Sequence, residues 1–249
     1  MKIDVLFQGF PGTITRGYMS WSSIVYVESA GHKILFDTGS MSERTQLPKA
    51  LQARGLSMGD IDLLVLSHFH HDHVMNYEYF PNARILLHEQ EAAWVNSDPD
   101  DWPIPKYLFP AVEKTGRLEL VAKDGEIAPG VSTLLSPGHT PGCMSLVLRA
   151  AGEPVTVLAG DAVKNLTELA TGEVAMSHDN AASARSIRRI RDIADFVIPG
   201  HDRTLKVQAD KIVAVTALRE VITVPAGVVN PVKPGTFELA IEPTSLKIR

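Results

Sequence analysis

The whole chain has one cysteine, Cys143. An intrachain disulfide is therefore excluded, and the expected compartment is a reducing cytoplasm. Long hydrophobic runs are also missing, since no stretch approaches the roughly 20 apolar residues of a membrane span. The opening residues, Met1-Lys2-Ile3-Asp4-Val5-Leu6-Phe7, lack the long apolar core of a secretory signal. Basic charge is not in excess. The formal net charge of -5 disfavours nucleic acid as a partner held by bulk electrostatics. There is no internal repeat of short period and no low-complexity block.

The chain has 249 residues, 45% of them hydrophobic and 21% charged. That suits one α/β domain over residues 1–249 with a sizeable core. The short β-rich runs Ile24–Val27 and Lys33–Phe36 flank Ala30-Gly31, a hairpin signal. A helix is expected near Glu43 to Arg54, closed by Gly55. Strands follow at 62–66 and Ala83–His88, with a short helix from about Asp72 between them. From Ala93 to Lys114 the pattern breaks, and prolines there forbid a regular helix interior or central strand. This stretch reads as an irregular excursion, a candidate lid. Further strands are expected at Val131–Leu135, Met144–Leu148, Val155–Leu158 and Phe196–Ile198. Asp179–Ala194 and Lys206–Val221 read as helices. The tail from Thr223, with its prolines and β-type residues, has no assignment.

The most informative segment is Ser67-His68-Phe69-His70-His71-Asp72-His73. It follows an apolar strand-like run, 61–66. Imidazoles and a carboxylate crowded at the end of a buried strand repel or desolvate one another unless a cation neutralises them. Three later segments share one design, in which an apolar strand and a small-residue turn lead to a metal-type side chain. They end at Gly138-His139, Gly160-Asp161 and Gly200-His201. Glycine at these points permits sharp turns and close backbone approach.

These motifs, together with Asp37 in Leu35-Phe36-Asp37-Thr38-Gly39, resemble those of the metallo-β-lactamase-fold superfamily. They occur in the family's order, between residues 35 and 201. The resemblance implies an αββα four-layer sandwich of the α/β class, with two divalent metal ions at one sheet edge. His68, His70 and His139 would hold the first ion. Asp72, His73 and His201 would hold the second, and Asp161 would bridge both along with a hydroxide. Residues two apart in an extended segment point the same way, which suits His68 and His70 gripping one ion. Asp37 would orient a ligand or loop by hydrogen bonds. Imidazole and carboxylate donors suit zinc, the default here, and also manganese, iron or cobalt.

Two ions roughly 3.5–4 Å apart lower the pKa of bound water to roughly 7 and polarise a substrate oxygen. Hydrolysis of a small-molecule lactone, ester or related carbonyl compound is therefore the leading expectation, with Asp72 accepting a proton as the intermediate collapses. A phosphodiesterase or ribonuclease and a thioester hydrolase of the glyoxalase II type are the alternatives on the same fold. A di-iron redox member and a β-lactamase proper rank lower. The first would need a fused domain, and in the second a cysteine replaces the bridging aspartate.

Lys164, three residues after Asp161, stands where many lactone hydrolases of the superfamily carry a tyrosine. It is a candidate contact for a substrate anion or oxyanion; the plainer reading is an exposed loop lysine. Tyr18, Met19 and Trp21, in the glycine-punctuated loop from Gly9, are candidate walls of an apolar pocket. So are Trp94, Trp102, Tyr107 and Phe109. The alternative for these aromatics is packing of the lid, or contact between two copies in a homodimer. His71 reads as solvated or supporting, His88 as structural, His32 as exposed and His178 as a helix-entry residue. Cys143 reads as a small buried hydrophobe. Arg185, Arg188, Arg189 and Arg191 form a solvated helix face, with an anion-binding patch as the sharper alternative.

Overall fold

The computed structural model describes residues 1–249. The chain begins with β1 (Lys2–Phe7), the small hairpin β2 (Thr13–Ile14) and β3 (Gly17–Tyr18), β4 (Ile24–Ser29) and β5 (His32–Phe36). Helix α1 (Leu47–Gln52), β6 (Leu63–Val65), helix α2 (His71–Val74) and β7 (Arg84–His88) follow. Next come α3 (Glu89–Asn96), α4 (Phe109–Lys114), β8 (Leu118–Val121), β9 (Glu126–Ala128), β10 (Val131–Leu135), β11 (Met144–Leu148) and β12 (Thr156–Gly160). The rest is α5 (Leu166–Thr171), α6 (Asn180–Ile193), β13 (Phe196–Pro199), β14 (Leu205–Val207), β15 (Lys211–Ala214), β16 (Leu218–Val224), β17 (Gly235–Ile241) and β18 (Ser245–Lys247).

Two sheets result. One has the order β1-β4-β5-β6-β7-β8 and the other β18-β15-β14-β13-β12-β11-β10-β9. Strand alternation explains how they stack, because successive side chains point to opposite faces. On the first sheet, Val25, Val27, Ile34, Phe36, Leu63 and Val65 point inward. They meet Val131, Met144, Leu146, Leu158 and Ile198 of the second. The opposite face of the first sheet, with Ile24, Tyr26, Leu35, Leu64 and Ile85, packs on Leu47, Leu51, Ala92, Val95, Phe109 and Val112 of α1, α3 and α4. The outer face of the second sheet is covered by Leu166 and Leu169 of α5 and by Ile187 and Ile190 of α6. The order of layers is helix, sheet, sheet, helix: the αββα sandwich of the expected α/β class.

Local chemistry fixes several boundaries. Ala30 and Gly31 both take positive φ, 49° and 87°, in the tight turn joining β4 to β5. Asp179 caps α6, its carboxylate accepting from the Ala182 amide.

Three expectations need correction. The helix expected over 43–54 shrinks to α1, because Pro48 is tolerated only in a first turn. The irregular stretch is 97–108 rather than 93–114. Helix α3 runs on to Asn96, and Pro110 sits in the first turn of α4. Lys206–Val221 is not helical but forms β14, β15 and the start of β16. Val207, Ile212, Val213, Val215 and Thr216 are β-branched, and their preference for strands prevails. The tail from Thr223 completes the hairpin of β16 with β17, then returns as β18 to pair with β15. No helix is long and apolar enough to cross a membrane.

Candidate metal centre

The seven candidate ligands converge at one edge of the sandwich. The loop after β6 delivers His68 and His70, and α2 delivers Asp72 and His73. The turns after β10, β12 and β13 deliver His139, Asp161 and His201. The sheets are joined at this point by a bond from the Met144 amide to the Ser67 carbonyl, 2.8 Å. Glycines make the close approach possible. Gly160 has φ 51° and Gly138 φ 140°, and a Cβ on Gly200 would lie 2.0 Å from Asp161 Oδ1.

Donor atoms gather into three groups, each within 4.8 Å: His68/His70/His139, His68/His73/Asp161 and Asp72/His73/His201. His139 Nε2 lies 3.0 Å from His70 Nδ1. The Asp161 carboxylate faces both ways. Its Oδ2 is 3.3 Å from His139 Nε2, while Oδ1 is 3.3 Å from His201 Nε2 and 3.4 Å from His73 Nε2. Asp72 Oδ2 is 3.3 Å from His201 Nε2. His68 Nε2, His73 Nε2 and Asp161 Oδ1 are buried without a hydrogen-bond partner. Buried polar atoms left unpaired, all aimed at one point, fit a cation there, and nitrogen–oxygen donor sets of this kind suit zinc.

The opposite nitrogen of each of the five histidines is held by a separate partner. His68 Nδ1 meets Ser67 Oγ at 3.0 Å, and His73 Nδ1–H donates to Asp37 Oδ2 at 2.8 Å. His139 Nδ1–H donates to the Met176 carbonyl and His201 Nδ1–H to the Trp21 carbonyl, both at 3.0 Å. His70 Nε2–H donates to Asp101 Oδ2 at 3.1 Å. Such partners fix the ring orientation and leave the other nitrogen free to ligate. Asp37 also accepts from the Ser67 amide and hydroxyl. Its φ of 60° is a strained conformation for a non-glycine residue, of the kind that collects at functional sites.

Electrostatics divides the cluster. Burial holds His139 down to about 3 and His68 well below the usual imidazole value, so both rings stay neutral. Burial also opposes charge on His73 and His201, but neighbouring carboxylates prevail and raise both. For His73 these are Asp72, Asp37 and Asp161; for His201, Asp161 and Asp72. Burial disfavours an ionised Asp161, yet His201, His73 and His139 keep it well below the usual carboxylate range.

Above the cluster lies a cavity of 1170 Å³ whose walls include Arg16, Tyr18, Trp94, Trp102, Lys164 and His178. Tyr18 stacks on Trp102 across the mouth, centroids 5.5 Å apart. The other aromatic candidates lie elsewhere. Trp21 packs on Phe10 at 4.8 Å, and neither Trp21 nor Met19 lines the cavity. Tyr107 is 74% exposed outside it, and Phe109 is a core residue packed edge-on against Phe69. Lys164 does line the cavity, but its ammonium is paired with buried Glu168 at 2.9 Å. His71 is about half exposed, and His88 accepts from the Gln90 amide at the start of α3. His178 packs at a tilt against Trp94, centroids 4.5 Å apart, and Arg189 pairs with Asp124.

Sequence reasoning missed Glu91, Asp101 and Glu168. Glu91 is fully buried on α3, and its carboxylate accepts from the Phe69 amide at 2.9 Å and the Gly142 amide at 3.1 Å. It thereby ties together the two loops that carry His68, His70 and His139. In the sequence it is an ordinary acidic residue in a first helical turn.

The metallo-beta-lactamase superfamily model matches residues 20–201. An N-acyl homoserine lactonase of Agrobacterium fabrum is 33% identical over 172 residues, 63% of this chain and 62% of that protein. The human metallo-beta-lactamase domain-containing protein 1 is 31% identical over 183 residues, 72% of this chain and 62% of that protein. The chain thus matches less than two thirds of the length of either relative. Among solved structures, a dizinc quorum-quenching lactonase in complex with its product shares the fold. Its TM-score is 0.61 at 22% identity, over 78% of each chain.

Proposed function

The chain belongs to the metallo-beta-lactamase superfamily, and from that premise we propose that it is a metal-dependent hydrolase opening a lactone or ester-type carbonyl substrate. The observation that carries this reading is the Asp161 carboxylate, whose two oxygens face the His139 side and the His73/His201 side of one cluster. His68, His70 and His139 would hold one divalent ion, Asp72, His73 and His201 a second, with Asp161 between them and zinc as the metal of choice. Ions bound there supply water activation and polarisation of a carbonyl oxygen.

The chain's own residues do the rest, within one domain over residues 1–249. Ser67, Asp37, Asp101 and two backbone carbonyls hold the five imidazoles in fixed orientations. Asp72 borders the cavity, where its carboxylate would take the proton of the attacking water and pass it to the leaving alkoxide oxygen as the ring opens. Trp94, Trp102 and Tyr18 wall a space large enough for an acylated substrate. The relatives named as N-acyl homoserine lactonases favour that class. Lys164 lies at the cavity wall with its charge offset by Glu168, which suits an uncharged carbonyl better than an anionic β-lactam or phosphodiester.

The test is a panel of lactones, esters, thioesters, β-lactams and a phosphodiester, assayed with zinc or manganese. Lactone or ester turnover, abolished by chelation and by Asp161→Ala, is the expected result. Activity on the phosphodiester alone overturns the substrate class. Activity that survives both chelation and Asp161→Ala overturns the metal chemistry.

A further inference from the structure

Of the five histidines, His70 is the one that leans on a residue of the 97–108 excursion, Asp101. Asp101 belongs to the proline-rich excursion 97–108 and is only partly buried, 23% exposed at its side chain. That excursion has few polar ties to the body beyond its flanking helices. One is the bond from His70 Nε2–H to Asp101 Oδ2, 3.1 Å. Another is the bond from the His71 amide to the Pro103 carbonyl, 2.9 Å. Both run to consecutive residues of the metal-binding segment. Trp102 sits between these anchors, 66% exposed, stacked on Tyr18 of the β2–β3 hairpin on the far side of the mouth.

We propose that Asp101 is a positioning residue that couples ion binding at His68, His70 and His139 to the seating of the 97–108 excursion over the cavity. The physical reason is the shared ring. An ion held by His70 Nδ1 fixes the imidazole plane and polarises the Nε2–H, which strengthens its bond to the Asp101 carboxylate. In turn the carboxylate raises the basicity of Nδ1 and pre-orients it toward His139. Linkage makes the effect reciprocal: whatever seats the excursion tightens the ion, and the ion seats the excursion by the same factor. Trp102 and Tyr18 carry the consequence to the mouth, so a chain without its first ion has a less ordered entrance.

The experiment uses the full chain and needs no substrate. Zinc affinity is measured by competition with a chromophoric chelator for the wild type, Asp101→Ala and Asp101→Asn. Amide exchange over 97–108 is followed with and without zinc. Partners of this kind are worth 10–100-fold in metal affinity. Asp101→Ala is therefore expected to weaken one of two ions by about 10–100-fold and leave the other unchanged. Asp101→Asn falls between, since its amide oxygen still accepts the bond without charge. Zinc slows exchange over 97–108 in the wild type and fails to do so in Asp101→Ala. Zinc-free melting of both variants stays at the wild-type value, which a merely structural role would not allow.

The proposal rests on the metal-centre reading, and the outcomes separate the two. A wild-type chain that takes up no zinc overturns both. Two ions bound equally well by wild type and Asp101→Ala, or exchange over 97–108 indifferent to zinc in the wild type, overturns the coupling alone. A lower zinc-free melting temperature with both ions lost also overturns it.

Discussion

Gly200→Ala tests how closely the second sheet's turns are fitted to the ligand cluster. An added Cβ would lie 2.0 Å from Asp161 Oδ1 and 3.0 Å from the Gly160 carbonyl, whereas ordinary contacts begin at 3.4 Å. The difference, 3.4 less 2.0, is a displacement of 1.4 Å for the carboxylate or the turn. Neither has room. Asp161 is hemmed in by His73, His139 and His201 at 3.3–3.4 Å. The Gly200 amide donates to the Gly160 and Val163 carbonyls at 2.9 and 3.0 Å, and its carbonyl accepts from the Ser23 amide at 2.7 Å. A misplacement near 1 Å in a catalytic constellation costs on the order of 100-fold. We expect Gly200→Ala to lose at least one ion and about 100-fold in kcat/KM, while its circular dichroism remains that of a folded chain. Gly59→Ala is the control, because its nearest neighbour would sit at 3.4 Å, away from the site. The assay combines metal content, kcat/KM on the best substrate of the panel and thermal melting. Two ions retained, with kcat/KM within about threefold of wild type, would refute the argument.

Phe109→Ala removes a fully buried ring packed against Phe69 and should cost about 3–5 kcal/mol. For a chain of this size that lowers Tm by about 6–20 °C, and a shift of less than about 3 °C would show that the helix layer tolerates the cavity. Burial, with Glu91 nearby, pushes the Cys143 thiol well above its usual range, so disulfide-exchange reagents should titrate no thiol in the native chain and one in urea. Rapid native labelling would contradict this. Lys164→Ala should raise KM for an anionic substrate about tenfold more than for its neutral analogue, and Glu168→Gln, which unmasks the ammonium, should do the reverse. Equal effects on both substrates would remove Lys164 from substrate recognition.

The legible parts of the structure are those in which one residue type has one physical use. Ala30-Gly31 marked its hairpin through positive φ, and Val131–Leu135 and Met144–Leu148 were bounded correctly because apolar β-branched runs between turn residues have few other fates. The strand–glycine–ligand segments converge as the sequence led us to expect, since glycine and histidine at a strand end point to close approach and polar work. Asp37 lies against His73 and Ser67. The failures have a common cause in tertiary context. Lys206–Val221 read as a helix, but Ile212 and Ala214 are needed to extend a sheet. Phe109 and Tyr107 are two residues apart, one in the core and one in solvent, and composition cannot separate them. Glu91, Asp101 and Glu168 matter only through what folding brings beside them: Phe69 and Gly142, His70, and Lys164.

The two proposed triads divide their donors between the sheets in the same way. His68 and His70 come from the first sheet's loop and His139 from the second; Asp72 and His73 come from the first and His201 from the second. Neither half of the chain alone owns three donors for either proposed ion. Because the partners are some 70 to 130 positions apart, their meeting is a late, non-local event in folding. A cation captured there clasps the seam and holds the docked halves by mass action, stabilising only the finished structure. Slow metal release would therefore report the two sheets parting, and the rate of that opening would set a lower bound on how long the loaded centre survives in a chelating medium.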